Sequence, residues 1–279
     1  MAAVRRPFDA WVSLPLAALV AWSALGGIFL PSTYARETAS WAAQGAGQDW
    51  VNLLVVAPAL SIGGVRALRG SLRARLVVGG ALLYTVYSFL LYAFEVHFNP
   101  LFLVYCATLG LSFYALLAQL VRLLHEDGRA WYRGPVPARV TGVFLLSIAG
   151  GFGLLWLRQI VPALLSGSDP AGLSDIGLLT NPVHVLDLSL LLPALTVTGI
   201  SLLRGGALGF TLAPLMLGFN VFMPLAIGGM VLRMHARGIG QGLGLAVATT
   251  GIAVVSAALL LRFLGQVDVA AGSPPGVAR

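Results

Sequence analysis

Apolar stretches of about 20 residues recur eight times along this chain, at roughly 11–30, 50–68, 76–94, 100–124, 139–158, 183–203, 208–231 and 243–264. A helix needs that length to cross about 30 Å of hydrocarbon. Lipid offers backbone N–H and C=O groups no partner of its own, so spanning segments of this length are helical. Charged residues make up only 10% of the chain, against about 25% in a soluble domain. The segments between the stretches are too short for an independent extramembrane domain. The expected fold is therefore an all-α polytopic membrane protein of eight transmembrane helices, an integral membrane protein whose first partner is the lipid bilayer.

A duplication organises these helices. Trp50 to Gly70 reads WVNLLVVAPALSIGGVRALRG and Val185 to Gly205 reads VLDLSLLLPALTVTGISLLRG, 135 residues later. Eight of the 21 positions are identical without a gap, among them Pro58/Pro193, Ala59/Ala194, Gly64/Gly199 and Arg69/Arg204. The likeness fades across the third and seventh helices. Four helices lie on each side of a Gly/Pro-bearing segment, and an even number gives the halves the same orientation, as in parallel-repeat transporters. The expected domains are a first four-helix membrane repeat over 1–127, an inner linker over 128–138, a second repeat over 139–267 and a disordered tail over 268–279. These amount to two parallel four-helix repeats.

The net charge of +7 comes from arginine alone, since the chain has no lysine. With the N-terminus inside, thirteen arginines fall in inner segments and only Arg36, Arg158, Arg233 and Arg237 in outer ones. That is a positive-inside bias, so both termini are expected in the cytoplasm of a bacterial-type inner membrane, and no nucleic-acid partner is implied. Arg233 and Arg237 share one loop, which would change places with the C-terminus if one of the last helices did not span. Arg5-Arg6-Pro7 precedes an apolar run without a small-x-small cleavage site, which reads as an uncleaved first helix. The single Cys106 excludes a disulfide framework. Asn99-Pro100 and Asn181-Pro182 each place a capping side chain before a proline, the pattern of a helix start. Pro58 and Pro193 lie inside their helices and favour matching kinks.

Polar residues gather toward the outer side: Asp49, Asn52, Glu95, His97, Asn99, Arg158, His184, Asp187 and His235. His184 and Asp187 are three apart and share a helix face, and their repeat equivalents are Asp49 and Asn52. Helix-start electrostatics accounts for Asp49 and Asp187 but not for Glu95, which ends its helix. In the third helix Tyr84, Tyr87, Ser88, Tyr92 and Glu95 form a polar stripe at helical spacing. The equivalents in the other half, Phe219, Phe222, Met223, Ile227 and Met230, are apolar. Asn52, Tyr84, Tyr87, Ser88, Glu95, His97 and Asp187 are thus the residues past which a substrate or ion would enter. His97, His184 and Asp187 have the chemistry of ligands to a borderline divalent metal, although no paired-histidine helix motif accompanies them.

Absences narrow the function. Without lysine there is no phosphate-binding loop of the ATPase type and no retinal Schiff base, and the Gly-x-Ser-x-Gly elbow of esterases is missing. No formal charge falls at the expected midplane, as a charge-rich pump or voltage sensor would require. The leading expectation is a small-solute permease taking a small-molecule ligand at an outer-face polar site. Two alternatives stand beside it: a membrane enzyme binding a metal or haem through outer-face His, Asp and Glu, and a non-catalytic subunit of a membrane complex. The residues fix neither the cofactor nor the oligomeric state.

Overall fold

The computed structural model describes residues 8–170, 172–240 and 242–268. Eight of its helices are long and apolar enough to cross a membrane. We label them α1 (Phe8–Phe29), α2 (Ala39–Leu68), α3 (Leu72–Glu95), α4 (Phe102–Leu124), α5 (Ala138–Ser166), α6 (Pro182–Leu203), α7 (Ala207–Ala236) and α8 (Gly244–Gln266). The connections 30–38, 96–101, 167–181 and 237–243 share one end of the bundle, called here the Glu37 end. The described part of the tail expected from 268 onward is Asp268 alone; its remainder lies outside the described residues.

Two helices are longer than hydropathy suggested. The apolar stretch read from hydropathy starts at residue 50, yet Ala39–Val51 is already helical and forms the first part of α2. Its run ASWAAQGAGQDWV is rich in alanine, the best helix former. It packs on α7, where a Cβ added to Gly47 would lie 2.4 Å from the carbonyl oxygen of Gly229. Likewise α5 continues through Pro162 to Ser166, so the loop expected from Gln159 starts eight residues later.

Each of the two repeated segments changes hydrogen-bond register at the same place. Asn52–Val56 and Asp187–Leu191 are π-helical turns. The N–H of Ala57 bonds to the carbonyl of Asn52, and that of Leu192 to the carbonyl of Asp187. Pro58 and Pro193 follow directly. Each lacks an N–H, so the ladder slips to i−5 in the turn before it. The kink expected from proline is realised as a π turn, a feature frequent at functional sites.

In chain order α1 packs on α2, α2 on α3 and α3 on α4; the same pairings recur between α5 and α6, α6 and α7, and α7 and α8. The two groups meet where α3 crosses α7. A Cβ on Gly80 would lie 2.7 Å from Cα of Gly218, so the two backbones touch, as small residues allow in membrane helices. α7 contributes to both apolar cores: Phe219, Phe222 and Ala226 join the one built by α1 to α4, and Ala213, Met216 and Leu217 join that of α5, α6 and α8. The outward faces of α5 and α8 carry exposed Leu154, Leu164, Val247 and Leu261, surfaces suited to lipid.

The inner linker is folded against the opposite end. Trp131 is buried among Leu72, Leu76, Leu123 and Leu215, Tyr132 bridges Val267, and Arg133 pairs with Asp268. The start of the expected tail is thereby tied to the linker. At the Glu37 end Asn181 accepts from the N–H groups of Val183 and His184, capping α6 as expected. Asn99 accepts from Leu101 N–H, and α4 begins only at Phe102.

Candidate functional site

Two clusters of buried polar groups lie inside the bundle, one on each repeated segment, joined by α3. Asp49 is fully buried. It lies ten residues beyond the start of α2, about 15 Å along the helix, so helix-start electrostatics does not account for it. Tyr34 donates to its Oδ2 at 2.6 Å and Tyr92 to its Oδ1 at 2.8 Å. One turn on, Asn52 Oδ1 accepts from Tyr84 at 2.8 Å, and Tyr84 also accepts from Gln48 Nε2 at 3.3 Å. Room for this cluster comes from Gly27 of α1, where an added Cβ would fall 1.8 Å from Asp49 Oδ2.

The second cluster centres on Asp187, 6% exposed. Tyr87 donates to Oδ1 at 2.9 Å and Trp156 Nε1 to Oδ2 at 2.7 Å. His184, on the same face, meets the Trp156 ring at a tilt of 44° with centroids 4.7 Å apart. Its Nε2 is buried without a hydrogen-bond partner among the described residues. The aromatic rings of α3 and α7 interlock between the clusters: Tyr84 meets Phe222 at 6.0 Å and Tyr87 meets Phe219 at 5.6 Å.

Both carboxylates are held by neutral donors. Among the described residues, neither pairs with arginine or histidine. The partners of Asp187 are the Tyr87 hydroxyl and the Trp156 indole. Tyr34, in the loop before α2, keeps its proton: burial first, and the neighbouring Asp49 second, push its hydroxyl well above the ordinary phenol value. It therefore serves Asp49 as a donor.

Asn52, Tyr84, Tyr87, Ser88 and Asp187 are all buried, and the structure joins them as two pairs, Tyr84 with Asn52 and Tyr87 with Asp187. Glu95 and His97 stand apart. Glu95 is the last residue of α3 and half-buried. His97 is exposed and bound to Glu37, through its backbone N–H at 2.7 Å and its Nδ1 at 3.1 Å. Among the described residues, no three His, Cys, Asp or Glu side chains gather as metal ligands would, so His97, His184 and Asp187 do not converge. Tyr34, Gln48, Trp156 and Gly27 were not legible as site residues, because each reaches its partner from a different helix or loop. Asp49 could have been singled out by its match to His184 across the repeat.

No protein-family model matches this chain, and no curated protein or solved structure matches it.

Proposed function

We propose that the protein is a small-solute permease whose pathway runs where two like-oriented four-helix halves meet. The observation that carries this reading is the pair of hydroxyl hydrogen bonds from α3. Tyr84 donates to Asn52 and Tyr87 to Asp187, and Asn52 and Asp187 are matched positions of the repeat. One helix thus holds both copies of the same polar position.

Three features support the two halves. The π turns occupy matched residues. The chain-order packing recurs. The ring contacts are reciprocal: Tyr84 matches Phe219 and Tyr87 matches Phe222, so the contacts Tyr84–Phe222 and Tyr87–Phe219 are counterparts of each other, as a two-fold relation requires. Interrupted helices carrying polar groups at a repeat interface are how many secondary transporters build their sites. The neutral donors around Asp49 and Asp187 add to this. An ionised carboxylate is costly inside a membrane, so these groups respond to an arriving proton or hydrogen-bonding solute, whereas a structural ion pair would not. With the arginine-rich end in the cytoplasm, the Glu37 end is the outer mouth.

The test is permeation in proteoliposomes. Stopped-flow swelling in acetamide, methylammonium or acetate should exceed that of protein-free vesicles for at least one solute, and Asp187→Asn should reduce that excess at least about tenfold. Rates equal to protein-free vesicles for all three solutes would count against the permease reading.

A further inference from the structure

A cleft at the Glu37 end has a volume of about 600 Å³ and runs between α2, α7 and α8, with Thr38, Asp175 and Leu245 on its walls. Deeper in lies a cavity of about 60 Å³ bounded by Tyr34, Trp41, Gln48, Tyr92 and Val183. Gln44 and Met230 line both spaces, so they form the partition between them.

Hydrogen-bond donors and acceptors share the inner wall. Trp41 Nε1 is a buried donor with no acceptor among the described residues. The tyrosine hydroxyls of the wall have their donors committed, and each glutamine amide has one of its two N–H groups bonded. Tyr34 and Tyr92 donate to Asp49, Gln44 Nε2 to Ser40 Oγ and Gln48 Nε2 to Tyr84. What they have left for a guest is lone pairs on oxygen and one spare N–H on each glutamine amide. No charged side chain lines the cavity, so an anion finds no cation. Asp49 lies behind the two tyrosines with both oxygens occupied, so a cation finds no bare carboxylate. A cavity of roughly 150 Å³ takes benzene and one of roughly 15 Å³ takes a water, which places the guest between these sizes.

We propose that this cavity binds a small uncharged molecule with one acceptor and one or more donors, an amide or alcohol of up to about four heavy atoms. Its acceptor takes the Trp41 indole N–H, its donors reach the Gln48 and tyrosine oxygens, and Met230 and Gln44 close behind it. The proposal rests on the permease reading and names its solute class.

Acetamide is the probe, titrated into the full-length protein in lipid nanodiscs with ¹⁵N-labelled tryptophan. The expected result is a saturable shift of one indole N–H resonance, assigned to Trp41 by its loss in Trp41→Phe. Val183→Phe, which fills the cavity, should weaken that saturation at least about tenfold and leave the other indole resonances in place. Should Val183→Phe perturb them all, Leu91→Phe fills the opposite wall. A shift that never saturates, one that survives a folded cavity-filling variant, or one that methylammonium or acetate produces equally would overturn the proposal. A saturable acetamide shift without permeation of any of the three solutes keeps the site and removes the permease reading. Permeation without a Trp41 shift does the reverse.

Discussion

Tyr84 and Tyr87 stand almost one helical turn apart on α3 and donate to different copies of the repeated segment, the first to Asn52 and the second to Asp187. α3 is therefore a shared strut. Its counterpart α7 carries phenylalanine at both equivalent positions, Phe219 and Phe222, and supplies rings without hydroxyls. Under the proposed two-fold relation, the ring packing is kept and the hydrogen bonding falls to α3 alone.

That division makes Tyr87→Phe an informative change. It keeps the ring against Phe219 and removes a donor from Asp187, leaving only Trp156. The expected cost is about 1–2 kcal/mol, the range for a buried acceptor deprived of its donor in a membrane protein. A double-mutant cycle with Asp187→Asn, read by unfolding in mixed micelles, should return a coupling of at least about 0.5 kcal/mol. Additive effects would mean the hydrogen bond contributes nothing.

Gly27→Ala should damage the Asp49 cluster directly. The new Cβ would fall 1.8 Å from Asp49 Oδ2 and 2.9 Å from the Tyr34 hydroxyl, so carboxylate or helix must move. Overpacking of this kind costs about 1–3 kcal/mol. Gly26→Ala is the control, because its Cβ meets the terminal carbons of Leu101, which can rotate away. A lower melting temperature for Gly27→Ala than for Gly26→Ala is the expected result, and the reverse order would contradict the geometry.

Tyr34 gives the molecule an alkaline limit. Its hydroxyl is held protonated in the folded state above the ordinary phenol value of 10.0, by burial first and Asp49 second. The stabilisation is complete below the unfolded value of about 10 and is lost as pH rises from there toward the folded value. Melting temperature in detergent should therefore fall above about pH 10, and Tyr34→Phe should fall less steeply over that window while starting lower at neutral pH. Parallel curves for both proteins would exclude Tyr34 as a source of the alkaline loss.

Hydropathy made the eight helices legible because membrane thickness fixes their length. It failed at Ala39–Gln48, where alanine and glycine hold a helix against α7 without raising hydropathy. That failure carried the site with it: once α2 is taken to begin near Trp50, Asp49 becomes a helix start instead of a buried centre. The stripe Tyr84, Tyr87, Ser88 and Tyr92 was legible because i, i+3 and i+4 spacing is local. Its partners were legible only where the repeat supplied a second view, as for Asn52 and Asp187. Tyr34 and Trp156 come from elements that no spacing rule connects to their carboxylates.

The end of the stripe supplies the last prediction. Glu95 and His97 continue the polar pattern in sequence, but α3 stops at Glu95, and the chain turns away so that His97 meets Glu37 at the surface. Neither residue belongs to the hydrogen-bonded clusters of Asp49 and Asp187. Glu95→Ala and His97→Ala should leave solute permeation in proteoliposomes within about twofold of the unaltered protein, since surface substitutions away from a site shift energies by only about 0.5 kcal/mol. Asn52→Leu removes the acceptor of Tyr84 and should reduce permeation at least about tenfold, by leaving a buried hydroxyl without its partner in the pathway. If Glu95→Ala abolishes permeation and Asn52→Leu does not, the pathway follows the outer end of the stripe, and the buried clusters are packing alone.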